Sequence, residues 1–200
     1  MRSVLFLIIH LCFLITVTSD DLKAYADPFK VVDYDPVWAK VFSNEHDLIL
    51  SVIGQYVMKV EHVGSTSIPG LAAKPIIDIQ VVVQDFSKLS ECIEGMAWIG
   101  YTYIGLRGIE GREYFKRPGF HVHMVQIDND EYSRKTLFLQ YLREHKNVCQ
   151  EYADLKKRLA IKWAGHPSAN LEYTYDKTEF IMGVLARTGW NPELKPQYLK

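Results

Sequence analysis

Glu61-His62-Val63-Gly64-Ser65-Thr66-Ser67-Ile68-Pro69-Gly70-Leu71-Ala72-Ala73-Lys74-Pro75-Ile76-Ile77-Asp78 is the stretch that decides the fold. It opens at the end of a run rich in β-branched residues, Tyr56 to Val63, which predicts a first strand stopping at Gly64. It closes on a second predicted strand, Ile76 to Val83. The Gly, Ser, Thr and Pro residues between them leave room for one tight turn or a short helical segment, and too little for a long helix. Along the second strand, alternation puts Asp78 and Gln80 on one face and Ile77, Ile79 and Val81 on the other. A carboxylate on such a strand needs a cation, Lys74, a histidine or backbone donors to offset its burial.

The chemistry of this corner follows from its residue types. Gly64 lets backbone amides approach a phosphate closely, while the Ser65 and Thr66 hydroxyls add donors and Lys74 adds local positive charge. Asp78, on the neighbouring strand, is the candidate ligand for a divalent cation, magnesium, held against that phosphate. A second cluster is Phe120-His121-Val122-His123-Met124, in which strand alternation turns both imidazoles to one face. Such a pair can bind metal, contact phosphate or satisfy itself by local hydrogen bonds, and His62 could approach the same pocket. The basic residues Arg107, Arg112, Lys116 and Arg117 flank these strands and suit a triphosphate, with exposed loop and edge positions as the plainer alternative.

Outward from the corner, Asp35-Pro36 reads as a helix start, with the helix running to about Ser51 and an apolar face of Trp38, Val41, Phe42, Leu48 and Ile49. Ser87 to Met96 is predicted as helix, and Gly100 to Leu106, Glu113 to Arg117 and Phe120 to Ile127 as strands. The last third is helical: Arg134 to Asn147, Cys149 to Trp163, and Asp176 to Arg187. Tyr152, Leu155 and Leu159 form one apolar stripe and Phe180, Ile181, Val184 and Leu185 another, both expected in the core. The run Lys156-Lys157-Arg158 carries little functional weight at this level.

A chain of 200 residues with 48% hydrophobic composition can bury one sizeable core. Its formal charge of −1 supplies no overall field to draw it to nucleic acid or a membrane surface, so phosphate-binding charge must be local. At the N-terminus, Arg2 precedes an apolar run, Val4 to Val17, of the length of a secretory signal and short of the roughly 20 residues that span a bilayer. Cleavage after Ser19 is slightly preferred to cleavage after Ala26. Residues 1–19 are thus read as a signal peptide or apolar leader, 20–30 as a joint, 31–190 as one domain and 191–200 as a tail. Secretion or export is the expectation, with a membrane-anchored or cytoplasmic chain as the alternative. Cys12 falls within the leader, and Cys92 and Cys149 are expected as buried free thiols.

The chain resembles the GrpB family, also called UPF0157, over Val31 to Arg187. The resemblance rests on Tyr34-Asp35-Pro36-Val37-Trp38, on the long central motif, and on His121-Val122-His123. It extends to Phe138, Tyr141-Leu142-Arg143, Glu151-Tyr152-Ala153, Leu155-Lys156, Tyr173-Thr174, Lys177 and Phe180-Ile181 in the helices. It implies an α/β (α+β) domain: a nucleotidyltransferase-like mixed β-sheet packed by helices, with a helical C-terminal third and a nucleotide-sized cleft. Active nucleotidyltransferases usually carry Asp-x-Asp on the carboxylate strand and a third acidic residue on another, holding two cations. Here Gln80 stands at the second position, His121 or His123 falls near the third, and Leu139-Gln140 replaces a common Arg-Asp pair. The functional expectation is therefore binding of a nucleotide or other phosphorylated small molecule. Nucleotidyl transfer would draw on Asp78 and on His123 as a base or further ligand; the alternative is a non-catalytic ligand-binding or protein-interaction module.

Overall fold

The computed structural model describes residues 30–190, so the expected leader, nearly all of the joint and the tail lie outside the described residues. Its element order begins with helix α1 (Val37–Ile53), strand β1 (Lys59–Val63), strand β2 (Ile77–Val83), helix α2 (Leu89–Trp98) and strands β3 (Thr102–Gly105), β4 (Arg112–Arg117) and β5 (Phe120–Gln126). Four helices follow: α3 (Asp130–Glu144), α4 (Lys146–Lys162), α5 (Ala169–Tyr175) and α6 (Thr178–Arg187). The strands form one mixed sheet in the order β1-β2-β5-β4-β3. β2 runs parallel to β5, and the other neighbours are antiparallel.

β2 sets the two faces of this sheet. Ile77, Ile79, Val81 and Val83 point into a core shared with Trp38, Ile49 and Ile53 of α1, Cys92 and Met96 of α2, and Phe115, Val122 and Met124 of the neighbouring strands. Burying an aliphatic side chain of this size stabilises by about 1.5–3 kcal/mol, so this layer supplies much of the folding free energy. α1 and α2 cross closely at Gly95, where an added Cβ would lie 2.7 Å from Ile53 Cγ2. Glu45 of α1 is buried beneath this layer's edge, ion-paired with Arg117 and accepting a hydrogen bond from Tyr101 at 2.8 Å.

On the opposite face α3 packs on β1 and β5. A second core forms there from Val63 of β1, Ile68, Leu71 and Ala72 of the β1–β2 connection, Leu139 and Leu142 of α3, Val148, Cys149, Tyr152 and Ala153 of α4, and Val184 of α6. Tyr152 joins three helices, edge-on to Phe138 and stacked on Phe180. Cys92 and Cys149 are buried free thiols in separate cores. Among the described residues no helix is long and apolar enough to cross a membrane.

Element boundaries depart from expectation for local reasons. α1 continues to Ile53, and Gly54–Tyr56 is a 3-10 turn, so β1 starts at Lys59 rather than Tyr56. α3 begins four residues early because Asn129 caps it, its side chain accepting the Glu131 N–H at 2.8 Å, with Asp130 and Glu131 in the first turn. α5 was not anticipated; it occupies one short stretch between the 163–168 turn and Asp176.

Candidate functional site

The β1–β2 connection is a single 3-10 turn, Ser65–Ser67, entered through Gly64 at φ 69° and ψ −174°. The Ser67 N–H and hydroxyl both donate to the Gly64 carbonyl, at 3.2 and 2.8 Å. Glycine is required here by contact as well as by torsion: an added Cβ would lie 2.4 Å from Asp78 Oδ2. The turn backbone therefore rests directly on the carboxylate.

Register brings the rest of the polar face to Asp78. Asp78 pairs with His121 and Gln80 with His123 across β2 and β5, while His121 faces Lys116 and His123 faces Tyr114 across β5 and β4. Asp78 Oδ1 lies 3.6 Å from His121 Nδ1 and 3.5 Å from His123 Nε2. The Tyr114 ring sits beside both imidazoles, with centroids 5.5 and 5.3 Å away. Burial works to raise the Asp78 pKa, but the two histidines outweigh it and hold the carboxyl well below the usual range. His123 is pushed down to about 4, first by burial and then by the charge of Lys135, so it is neutral at pH 7.

The predicted phosphate-binding residues separate into those that face this layer and those that do not. Lys74 faces it, its Nζ donating to Asn170 Oδ1 at 3.2 Å and lying 5.2 Å from the centre of the Tyr173 ring. Ser65 is partly exposed in the turn. Thr66 is only 2% exposed and turned inward, sharing a 3.0 Å hydrogen bond with His62 and donating to the Ile76 carbonyl at 3.3 Å. Its hydroxyl fastens the turn to the strand behind it. His62 itself stacks on Phe42 of α1, with centroids 4.7 Å apart. Arg112 lies on the polar face, stacked on Tyr114 and reaching the Leu106 carbonyl at 3.4 Å and the Arg107 carbonyl at 3.5 Å. Arg117 leaves the expected basic group altogether, since its guanidinium is bound to Glu45 and to the Ile99 carbonyl.

The helical third adds residues to which the sequence reading gave no place in the site. Arg143 of α3 donates to Ser67 Oγ at 3.1 Å, bracing the turn from outside. Lys177, just before α6, lies 4.2 Å from the centre of the same Tyr173 ring that Lys74 approaches. Lys156 of α4 is 2% exposed and donates to the Ala72 carbonyl. Burial, then the charge of Lys177, pushes Lys156 down to about 7; burial, then the charge of Lys74, pushes Lys177 down to about 8. Lys135 of α3 also reaches the polar layer, 3.6 Å from Glu131 Oε1. The spacing of Tyr152, Lys156 and Leu159 on one helical stripe was the available signal for Lys156; nothing local marks Lys135.

Chemically, the face offers one ionised carboxylate, two imidazoles, a phenol and several ammonium groups around a glycine-entered turn. Among the described residues no group of three or more His, Cys, Asp or Glu side chains is placed to hold a metal ion.

Comparison with known proteins agrees with this architecture. The family described as GrpB protein matches residues 28–187. UPF0157 protein YqkA of Bacillus subtilis is 41% identical over 156 residues, spanning 76% of this chain and 45% of that protein, so the chain spans less than half of that relative's length. The crystal structure of conserved protein GrpB from Enterococcus faecalis superposes with a TM-score of 0.72 at 34% identity, covering 80% of this chain and all of that one. More distantly, the Cid1 poly(U) polymerase H336N mutant bound to MgATP shares the fold at a TM-score of 0.50 and 12% identity, over 72% of this chain and 49% of the polymerase. Its likeness extends to a nucleotidyltransferase-type fold. The chain belongs to the GrpB family.

Proposed function

We propose that this protein binds a nucleotide or a related phosphorylated small molecule on the polar face of its sheet, with the phosphates at the Gly64–Ser65 turn. The observation that carries this reading is the seating of the turn on Asp78, with Lys74 and Lys177 meeting over Tyr173 beside it. Backbone amides of a glycine-entered turn, a serine hydroxyl and ammonium groups are the donors that phosphate oxygens need. The His121 imidazole, 24% exposed, supplies a flat face for the remainder of the ligand. Calorimetric titration with the four ribonucleoside triphosphates and with tripolyphosphate tests it. Saturable binding that weakens at least tenfold in Lys74→Ala is the expected result, and absence of binding by a folded protein would end the reading.

A second reading, nucleotidyl transfer, is favoured by one observation: the neutral imidazole of His123 lies 3.5 Å from the ionised Asp78. Asp78 would hold Mg2+ and His123 would accept the acceptor's proton. Gln80 works against it, because a fully buried amide stands where a second carboxylate would help clamp the cation. The Cid1 poly(U) polymerase bound to MgATP, which shares the fold, supplies the analogy. Magnesium-dependent pyrophosphate release that disappears in Asp78→Ala would support transfer; ligand binding without release leaves the protein a binding module.

A further inference from the structure

Positive charge around Asp78 exceeds what one carboxylate can balance. The charge of Asp78 acts on four lysines from four different elements: Lys74 from the β1–β2 connection, Lys135 from α3, Lys156 from α4 and Lys177 before α6. Lys74 and Lys177 sit over one Tyr173 ring. Glu131, the carboxylate nearest Lys135, is already bonded to Arg134. Burial, and after it the charge of a neighbouring lysine, depresses the pKa values of Lys156 and Lys177.

The same layer holds buried polar atoms without hydrogen-bond partners among the described residues. They are Lys135 Nζ, His123 Nδ1, Arg112 Nε and both amide atoms of the fully buried Gln80. Register places Gln80 beside His123, and His123 beside Tyr114, while the charges of Lys135 and Arg112 act on His123. Buried polar groups are normally satisfied, and this set is richer in donors than in acceptors. It suits an anion. A divalent cation at Asp78 would instead add two charges to a place already surrounded by ammonium groups.

We propose that the ligand's phosphate chain is neutralised by fixed ammonium groups, with Lys135 taking the charge-compensating part of a second divalent cation, so that the site accepts a di- or triphosphate without metal. This rests on the phosphorylated-ligand reading above and specifies how that ligand is held. Lys74 and Lys177 take the outer phosphates, and Lys135 the phosphoryl group nearest Asp78 and His123.

The test uses the full chain and tripolyphosphate, titrated calorimetrically in EDTA and again in excess Mg2+ at pH 8. The expected result is binding in EDTA at least as tight as in Mg2+, weakened about tenfold or more in Lys177→Ala and in Lys135→Met. Repeating the titration in buffers of different ionisation enthalpy should show net proton uptake as Lys156 and Lys177 are recharged, a readout that needs no variant should Lys135→Met fail to fold. Binding only in the presence of Mg2+ overturns the inference while leaving the phosphorylated-ligand reading intact. So does nucleotide binding without tripolyphosphate binding, or EDTA-resistant binding without proton uptake and unaffected by Lys177→Ala. No binding of any of these ligands removes both.

Discussion

Replacing Gly64 with alanine asks whether the corner is built on contact between the turn backbone and Asp78. The torsions of Gly64, φ 69° and ψ −174°, fall in a region nearly reserved for glycine, and another residue there costs about 1–3 kcal/mol. The new methyl would also lie 2.4 Å from Asp78 Oδ2 and 2.8 Å from Asp78 Cβ, so the carboxylate or the turn must move. Overpacking of that kind adds about 1–3 kcal/mol. The sum, ~2–6 kcal/mol, is a large part of the ~5–15 kcal/mol that holds a domain folded. Gly70 supplies the control: it too has positive φ, at 84°, yet an added Cβ meets nothing within 4 Å. Gly70→Ala should therefore cost only the torsional part, about 1–2 kcal/mol. Urea unfolding of the two variants isolates the contact term, and calorimetry on Gly64→Ala should show weakened ligand binding at temperatures where it remains folded. Equal unfolding midpoints for the two variants would refute the idea that the Gly64–Asp78 contact sets the corner.

Burial holds both His62 and His123 down to about 4, against an ordinary 6.5. The unfolded chain then binds protons that the folded one refuses, so stability should fall as pH drops from about 6.5 to 4; an imidazole NMR titration showing His123 half-protonated near 6.5 would contradict this. At the other end, Lys156 titrates near 7 when folded against an ordinary 10.5, so stability should climb between pH 7 and 9, by at most ~1.4 kcal/mol per pH unit from this group. Lys156→Met should flatten that slope in pH-dependent urea unfolding, and an undiminished slope would assign it to other groups. Gly95→Ala would place a methyl 2.7 Å from Ile53 Cγ2 and 3.1 Å from the Val52 carbonyl oxygen at the α1–α2 crossing. A loss of about 1–3 kcal/mol is expected despite alanine's ~1 kcal/mol advantage in helix propensity, and thermal unfolding at the parent temperature would show that the helices part freely.

How much of this was legible in the sequence depended on whether the cause was local. Alternation along Ile77 to Val83 and Phe120 to Met124 sorts the polar face from the apolar one without reference to anything distant, so Asp78, Gln80, His121 and His123 were readable as face-mates. The parallel pairing that sets Asp78 opposite His121 was beyond periodicity, because register between strands some forty residues apart is a tertiary fact. Arg112 and Arg117 look equivalent in the chain, yet the first stacks on Tyr114 and the second turns to Glu45. Thr66 sits in the turn among candidate donors, but its hydroxyl is spent on the Ile76 carbonyl and His62. Lysines are the hardest case: Lys135, Lys156 and Lys177 read as ordinary helix-surface residues, and only docking of the helical third on the β1–β2 connection turns them toward Asp78.

That docking has a consequence for how variation in this stretch can be interpreted. Between Gly64 and Lys74, the chain alternates groups that face the polar layer with Ile68, Leu71 and Ala72, which are plugged into the second core. One short segment thus answers to two masters, ligand chemistry and domain integrity. A substitution at one of its packed positions will perturb both, so loss of activity alone cannot assign such a residue to recognition. Separating the two requires changing an ammonium group contributed from outside the segment, as at Lys177 just before α6.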